Sequence, residues 1–182
     1  TGSAPWRRTV KRMVDLFAGM GGASRAMRER AWEVVTVDLE PRFATTITGD
    51  LCSLSIPSPG PVDLLWASPP CDEFSREDMP WSRTGRAPSL ACIEATLRHV
   101  EELRPRFWCL ENVRGARPWV RDLLGPPMLS TGPVYLWGRL PAVLLPRLDA
   151  GWKQRITSAR PDLRACLPYE LSRAFALAVE RA

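Results

Sequence analysis

Residues 11–31 read Lys-Arg-Met-Val-Asp-Leu-Phe-Ala-Gly-Met-Gly-Gly-Ala-Ser-Arg-Ala-Met-Arg-Glu-Arg-Ala. The run Arg12 to Phe17 is apolar with a polar edge, which predicts a strand. Gly19, Gly21 and Gly22 make a turn, because glycine adopts backbone conformations closed to other residues and lets the chain approach a ligand closely. Ala23 to Arg30, rich in Ala, Met, Arg and Glu, favours a helix. Strand, glycine turn and helix form the opening unit of an α/β protein.

The same alternation continues outward. Glu33 to Val37 predicts a second strand ending at Asp38, Pro41 starts a short helix, and Gly49-Asp50-Leu51 closes a third strand. Val62 to Ala67, after the proline-rich lead-in 57–61, is nearly all apolar, as a strand covered on both faces should be. Residues 72–87 read as a mobile polar loop. Pro88 to Arg104 fits a helix with Leu90, Ile93, Leu97 and Val100 on one face, and Phe107 to Leu110 a fifth strand. This spacing predicts an open, mostly parallel, Rossmann-like sheet with helices on both faces, built as one domain over 1–182. Right-handed crossovers then set the strand C-termini along one rim, where ligands bind. Beyond Val113 the pattern weakens. Residues 114–150 are rich in Pro, Gly and Trp, Val134 to Trp137 and Ala142 to Leu145 suggest a hairpin or edge strands, and 168–181 a closing amphipathic helix.

Composition narrows the classes of function. The five cysteines, at 52, 71, 92, 109 and 166, form no CxxC pair, which argues against a disulfide scaffold or a metal site and for a reducing, cytosolic compartment. The single histidine, His99, excludes chemistry needing two imidazoles. No apolar run approaches the roughly 20 residues that span a bilayer, so no membrane partner is expected. Net charge is +5, carried by arginine; only Lys11 and Lys153 are lysines. Arginine suits phosphate forks and base stacking, although GC-rich coding favours it too.

The glycine turn has no Gly-Lys-Ser/Thr and departs from the GxGxxG spacing, so it is neither a P-loop nor a standard dinucleotide fingerprint. Asp15, Asp38 and Asp50 stand at three consecutive strand ends. Asp38 can accept ribose hydroxyls and Asp50 an adenine amino group. Together they point to a nucleoside with a neutral or cationic tail; singly, each would serve as a helix cap. Residues 68–75 read Ser-Pro-Pro-Cys-Asp-Glu-Phe-Ser. Two prolines fix the approach to Cys71, which is useful for an aimed nucleophile. Glu111-Asn112-Val113 follows the fifth strand and brings a carboxyl group.

In this order, over residues 12–113, the chain resembles the cytosine-5 DNA methyltransferases, which use S-adenosyl-L-methionine and release S-adenosyl-L-homocysteine. The motifs that carry the likeness are Asp15-Leu16-Phe17-Ala18-Gly19-Met20-Gly21-Gly22, the strand-end acid Asp38, Gly49-Asp50-Leu51, Pro69-Pro70-Cys71 with Phe74-Ser75, and Glu111-Asn112-Val113 at close to the family's spacing. The resemblance implies an S-adenosylmethionine-dependent methyltransferase fold. It implies that Asp15 and Phe17 through Gly22 wrap the cofactor, Asp38 and Leu39 hold its ribose and adenine face, and Asp50 and Leu51 the adenine edge. Pro69 and Leu90 would flank the methionine end. Cys71 would be the nucleophile and Glu111 the proton donor, with Pro70, Ser75, Arg76, Asn112 and Arg114 against the nucleic acid.

The chain also departs from the family. The resemblance leaves only residues 114–182 for a target-recognition domain, which would be absent or reduced to 114–150, as in a compact phage or prophage enzyme acting in a bacterial cytoplasm. The Gln-x-Arg-x-Arg motif is missing; Gln154-Arg155 is a fragment of it, and Arg139 or Arg114 would substitute. Asp72 stands where the family usually has Gln, and Leu167-Pro168-Tyr169 would replace a closing Gly-Asn motif. Trp119, Trp137 and Trp152 would stack bases or pack the core. Ser-Pro-Pro-Cys also occurs in a tRNA-modifying branch, so RNA is the alternative substrate. A non-catalytic cofactor- or nucleic-acid-binding relative, or transfer of a related one-carbon group, are further readings.

Overall fold

The computed structural model describes residues 10–149 and 166–182. Its elements, in chain order, are β1 (Arg12–Leu16), α1 (Arg25–Glu29), β2 (Glu33–Asp38), β3 (Ile47–Thr48), β4 (Leu64–Ala67), α2 (Asp72–Asp78), α3 (Ala91–Leu103), β5 (Phe107–Asn112), α4 (Arg117–Leu124), β6 (Leu129–Thr131), β7 (Val134–Arg139) and α5 (Tyr169–Arg181). Short 3-10 turns at Pro41–Phe43 and Arg114–Ala116 link some of them. The strands form one sheet in the order β3-β2-β1-β4-β5-β7-β6. The first five in that order run parallel, β7 runs antiparallel to β5, and β6 runs antiparallel to β7. This is the mixed α/β sheet with helices on both faces that the sequence predicts.

Alternation along the central strands assigns the two faces. Met13, Leu64, Trp66 and Cys109 pack with Met27 of α1 and Leu171, Phe175 and Val179 of α5. Val14, Leu16, Leu65 and Ala67 face the other way, towards Val100 and Leu103 of α3. Further along that face Leu110 and Trp137 meet Phe74, Ile93 and Val120, from α2, α3 and α4. Strand β4 is buried along its whole length, which is why Leu-Leu-Trp-Ala carries no alternation. Burying such apolar side chains contributes roughly 1.5–3 kcal/mol each and is the main force holding helices to sheet.

Several sequence expectations need correction. Residues 72–78, expected in a loop, form α2, whose sole large apolar side chain, Phe74, is fully covered. Helix α3 begins at Ala91 rather than Pro88. Strand β5 continues through Glu111 and Asn112, so these lie in the sheet rather than after it. The hairpin partner of Val134–Arg139 is Leu129–Thr131, and Ala142 to Leu145 form no strand. The turn between β6 and β7 contains Gly132, at φ +54° with the Leu148 carbonyl packed against it. Helix α4 went unforeseen within the weak stretch after Val113. Trp137 is packing, not a stacking surface: it is buried and its indole N–H donates to the Gly125 carbonyl at 3.2 Å. Lys153, Trp152 and the Gln154-Arg155 fragment lie outside the described residues. No helix among the described residues is long and apolar enough to cross a membrane.

Candidate active site

The rim at the C-terminal ends of β1, β2, β4 and β5 gathers the segments that the sequence singles out. After Leu16 the chain turns through Phe17, at φ +55°, and through Gly19 and Gly21, at +50° and +74°. The turn is knit to β2: the Ala18 amide donates to the Val37 carbonyl at 3.1 Å, and the Gly19 amide to Asp38 Oδ2 at 2.8 Å. Asp38 Oδ1 accepts the Glu40 amide at 2.9 Å. Each carboxylate oxygen still has a lone pair for another donor. A Cβ at Gly22 would lie 2.6 Å from the Leu167 amide nitrogen, so glycine there lets the segment before α5 lie directly on the turn.

Between these parts lies a cavity of about 320 Å³. Its lining takes in the expected Asp15, Phe17, Ala18, Gly19, Met20 and Gly22 on one side, and Pro70 and Cys71 on the other. Gly21 borders an adjoining space of about 580 Å³. A Cβ at Gly19 would meet no heavy atom within 4 Å, so that backbone faces open space. Arg42, Phe43, Ser68, Asp72 and Cys166 line the cavity without having been foreseen as cofactor residues, and so does Leu167, the suspected substitute for the closing motif. Their signal in sequence is weak: Phe43 follows an ordinary Pro turn, and Cys166 is one cysteine of five.

Asp15 is the electrostatic anomaly of the site. Its side chain is buried and Oδ2 has no hydrogen-bond partner. Burial raises its pKa to about 7, against the opposing pull of a Ser24 hydrogen bond and of Arg28. A buried oxygen with a spare acceptor position on a cavity wall is an anchor for a donor group.

Cys71 precedes the first turn of α2 and is half-buried; its carbonyl accepts the Ser75 amide at 2.8 Å. The clasp that places it is Asn112. The Asn112 amide donates to the Pro69 carbonyl at 3.1 Å, while its Oδ1 accepts the Val113 amide at 2.9 Å. One buried side chain thus joins the segment carrying Cys71 to the strand end carrying Glu111. Glu111 is 8 % exposed and in register with Leu136 of β7. It points to the face of Cys109, whose thiol pKa is pushed up by burial and then by the Glu111 charge. Because Ala67 pairs with Leu110, Ser68 follows β4 directly beside Glu111. Ser68 itself is fixed by the Trp66 indole at 2.8 Å.

The remaining expected residues are spread more widely. Leu39 is 61 % exposed at the rim, and the Asp50 carboxylate accepts the Cys52 amide at 2.9 Å. Leu51 points into the core beside Val14 and Leu65, while its carbonyl is held by Arg98 at 2.7 Å. Leu90 packs against the cluster around Phe74, and neither it, Asp38, Asp50, Pro69 nor Glu111 lines the cavity of about 320 Å³. Ser75 is half-buried within α2. Arg76 is engaged by Glu77 at 2.9 Å, and Arg114 by Asp78 at 3.0 Å. Arg139 lies at the far end of β7, opposite Trp108, and donates to the Pro105 carbonyl. It therefore cannot replace a base-reading arginine at the rim.

Residues 11–118 match the family model described as C-5 cytosine-specific DNA methylase. DNA (cytosine-5)-methyltransferase 1 of Gallus gallus is 26% identical over 140 residues, which is 62% of this chain and 9% of that protein. Type II methyltransferase M.DdeI of Desulfomicrobium norvegicum is 26% identical over 145 residues, 66% of this chain and 34% of that protein. The solved structure of the Entamoeba histolytica methyltransferase EhMeth superposes with a TM-score of 0.48 at 14% identity, covering 77% of this chain and 57% of that one. The chain thus spans about a third or less of the length of the two curated relatives.

Proposed function

The chain belongs to the C-5 cytosine-specific DNA methylase family, and from that premise we propose that it methylates carbon 5 of cytosine in DNA through a covalent adduct of Cys71. The observation that carries this reading is the placement of Cys71 on the wall of the glycine-turn cavity, with Asn112 tying its segment to the strand of Glu111. In the same reading residues 1–182 act as one catalytic domain, with 12–113 its core, 114–150 a reduced recognition region and 168–181 a closing helix.

The residues present fit S-adenosyl-L-methionine. The cavity offers open backbone at Gly19, an unsatisfied buried oxygen on Asp15 for a donor, and apolar wall from Phe17 and Phe43. Asp38 stands at the rim with acceptor capacity to spare for ribose hydroxyls. The cofactor supplies an electrophilic methyl group on a sulfonium.

The protein's own part is to make carbon 5 nucleophilic. The Cys71 thiolate adds to carbon 6 of the ring, and the displaced electron pair runs through carbon 5 towards ring N3. The Glu111 carboxyl gives N3 a proton, so the ring becomes a neutral enamine rather than an anion. Once carbon 5 is substituted, a water takes its hydrogen as a proton, the ring double bond re-forms, the Cys71 sulfur leaves with its electrons, and N3 returns its proton to the Glu111 carboxylate. Both partners must reach the ring face and edge, so the target base must leave the stack.

Transfer of radiolabelled methyl groups to duplex DNA tests the reading, with tRNA as the competing substrate. Label on the duplex, lost in Cys71→Ser, is the expected result. Label on tRNA alone would move the substrate to RNA, and cofactor binding without transfer to either would leave a binding protein.

A further inference from the structure

Two thiols away from the cavity wall stand in contact. Cys52 follows the Gly49-Asp50-Leu51 turn, Cys92 is the second residue of α3, and their sulfurs are 3.9 Å apart, one thiol donating to the other. Both are free and half-buried. The proposed methyl transfer uses neither of them.

A pair that only packed would need apolar neighbours and nothing more. This pair has a held geometry and a way in. Arg98, further along α3, donates from Nη1 to the Cys52 carbonyl at 2.9 Å, and from Nη2 to the Leu51 carbonyl at 2.7 Å and the Leu54 carbonyl at 3.2 Å. His99 Nε2 lies 3.1 Å from the same Leu51 carbonyl. One helix therefore carries Cys92 and the clamp that keeps Cys52 opposite it. Cys92 also borders an open space of about 250 Å³ with Pro69, Glu73, Phe74 and Ser89, which gives a solute the size of a peroxide a route to the pair. Burial, and then the charge of Cys52, push the Cys92 thiol up. A Cys52 thiolate therefore faces a Cys92 that keeps its proton, which suits an attacking sulfur and a resolving one.

We propose that Cys52 and Cys92 are an oxidation site, in which a peroxide converts the pair to a disulfide that ties the turn 49–54 to α3 and lowers cofactor affinity. The Cys52 sulfur attacks one peroxide oxygen and the O–O bond breaks. A sulfenic acid forms, and the other oxygen leaves as hydroxide, which takes up the proton that Cys52 had released. The Cys92 sulfur then attacks the Cys52 sulfur, the S–O bond breaks, and the hydroxyl leaves with the Cys92 proton as a second water. Each sulfur gives up one electron, and the peroxide takes both.

A covalent bond brings the sulfurs closer than their present contact, so its formation draws Cys52 and α3 together. Asp50 follows, because its carboxylate accepts the Cys52 amide at 2.9 Å and its carbonyl accepts the Leu54 amide at 2.7 Å. The turn is also joined to Asp38, whose carbonyl accepts the Gly49 amide at 2.9 Å. Hydrogen bonds weaken steeply with misalignment, so moving these acceptors loosens an adenosine held by them. The inference rests on the proposed cofactor and adds a control on its binding.

The test treats the reduced wild type and Cys71→Ser with hydrogen peroxide, the variant ensuring that oxidation of the nucleophile does not mimic the effect. Remaining thiols are then blocked, peptides are mapped by mass, and S-adenosyl-L-homocysteine affinity is measured before and after. The expected result is a peptide linked through Cys52 and Cys92 that dithiothreitol separates. Affinity should fall about tenfold on oxidation, the order of one lost hydrogen bond to a charged group, and return on reduction. Cys52→Ser and Cys92→Ser, each added to Cys71→Ser, should not respond to peroxide. Mapping of the wild type carries the test even if a serine variant fails to fold. Absence of the linked peptide overturns the oxidation site and leaves the proposed function standing. A linked peptide with unchanged affinity, or a fall that persists in Cys52→Ser, overturns the control of binding. A reduced protein that binds no S-adenosyl-L-homocysteine overturns the cofactor reading and that control together, and the linked peptide still decides the oxidation site.

Discussion

Asp15 shows how a single residue can couple the site to the stability of the fold. Its carboxyl rises from 3.8 to about 7 on folding, chiefly through burial. The folded state therefore holds a proton that the unfolded chain gives up. The stability this contributes is complete below the unfolded value and is lost as pH rises through about 7. At about 1.4 kcal/mol per pK unit, the swing is on the order of 4 kcal/mol. Urea unfolding of the wild type should lose stability between pH 5 and pH 8, and Asp15→Asn should flatten that profile. A flat wild-type profile would remove the argument. Asn112 makes a second residue-scale prediction. Asn112→Ala leaves the Pro69 carbonyl without its donor and should cost about 1–3 kcal/mol, read as a shift in the urea midpoint at constant slope. At Glu111, Gln keeps the size and loses the proton. Glu111→Gln should bind cofactor product normally and transfer methyl groups on the order of 100-fold more slowly. Equal rates would exclude Glu111 as the proton donor. Cys71 and Glu111 were legible in the sequence because prolines and a strand flank them. The neutralisation of Arg76 and Arg114 was not, because a helical 72–78 sets Glu73 one turn from Arg76, and only the fold brings Asp78 to Arg114.

At the scale of elements, hydrophobic pattern was a good guide wherever a segment had one partner layer on each side. Strands β1, β2 and β4 were readable for that reason. Helix α2 was misread because Asp-Glu-Phe-Ser-Arg-Glu-Asp offers one apolar residue, and what makes it a helix is tertiary: Phe74 under α3 and the close contact with Gly115. Strand β6 was missed because three residues carry no period, and its pairing is set by the turn at Gly132. Gly138 records a similar constraint within β7. It has φ +127°, and a Cβ there would lie 2.3 Å from the Trp108 carbonyl. Gly138→Ala should destabilise by at least the 1–3 kcal/mol typical of overpacking, with added backbone strain, measurable as a lowered urea midpoint. A neutral effect would mean that β7 does not press on β5 as described.

For the whole molecule, the parallel order β3-β2-β1-β4-β5 turns four separate sequence motifs into one rim. The glycine turn, Asp38, the Ser68–Cys71 segment and Glu111-Asn112 are far apart in the chain and come together only because their strands run the same way. That much followed from the alternation of strands and helices. The contribution of Cys166 and Leu167 to the cavity did not, since it depends on α5 docking across α1, through Ser172 donating to the Ala23 carbonyl and accepting the Ala26 amide.

The account stands on Cys71 attacking a flipped cytosine. Duplex DNA containing 5-fluorocytosine tests it most directly, because fluorine at carbon 5 cannot leave as a proton and the sulfur–carbon bond cannot be released. A denaturation-resistant protein–DNA adduct that needs S-adenosyl-L-methionine and disappears in Cys71→Ser is the result expected. No adduct from a protein that nonetheless methylates cytosine, or an adduct that survives in Cys71→Ser, would contradict it.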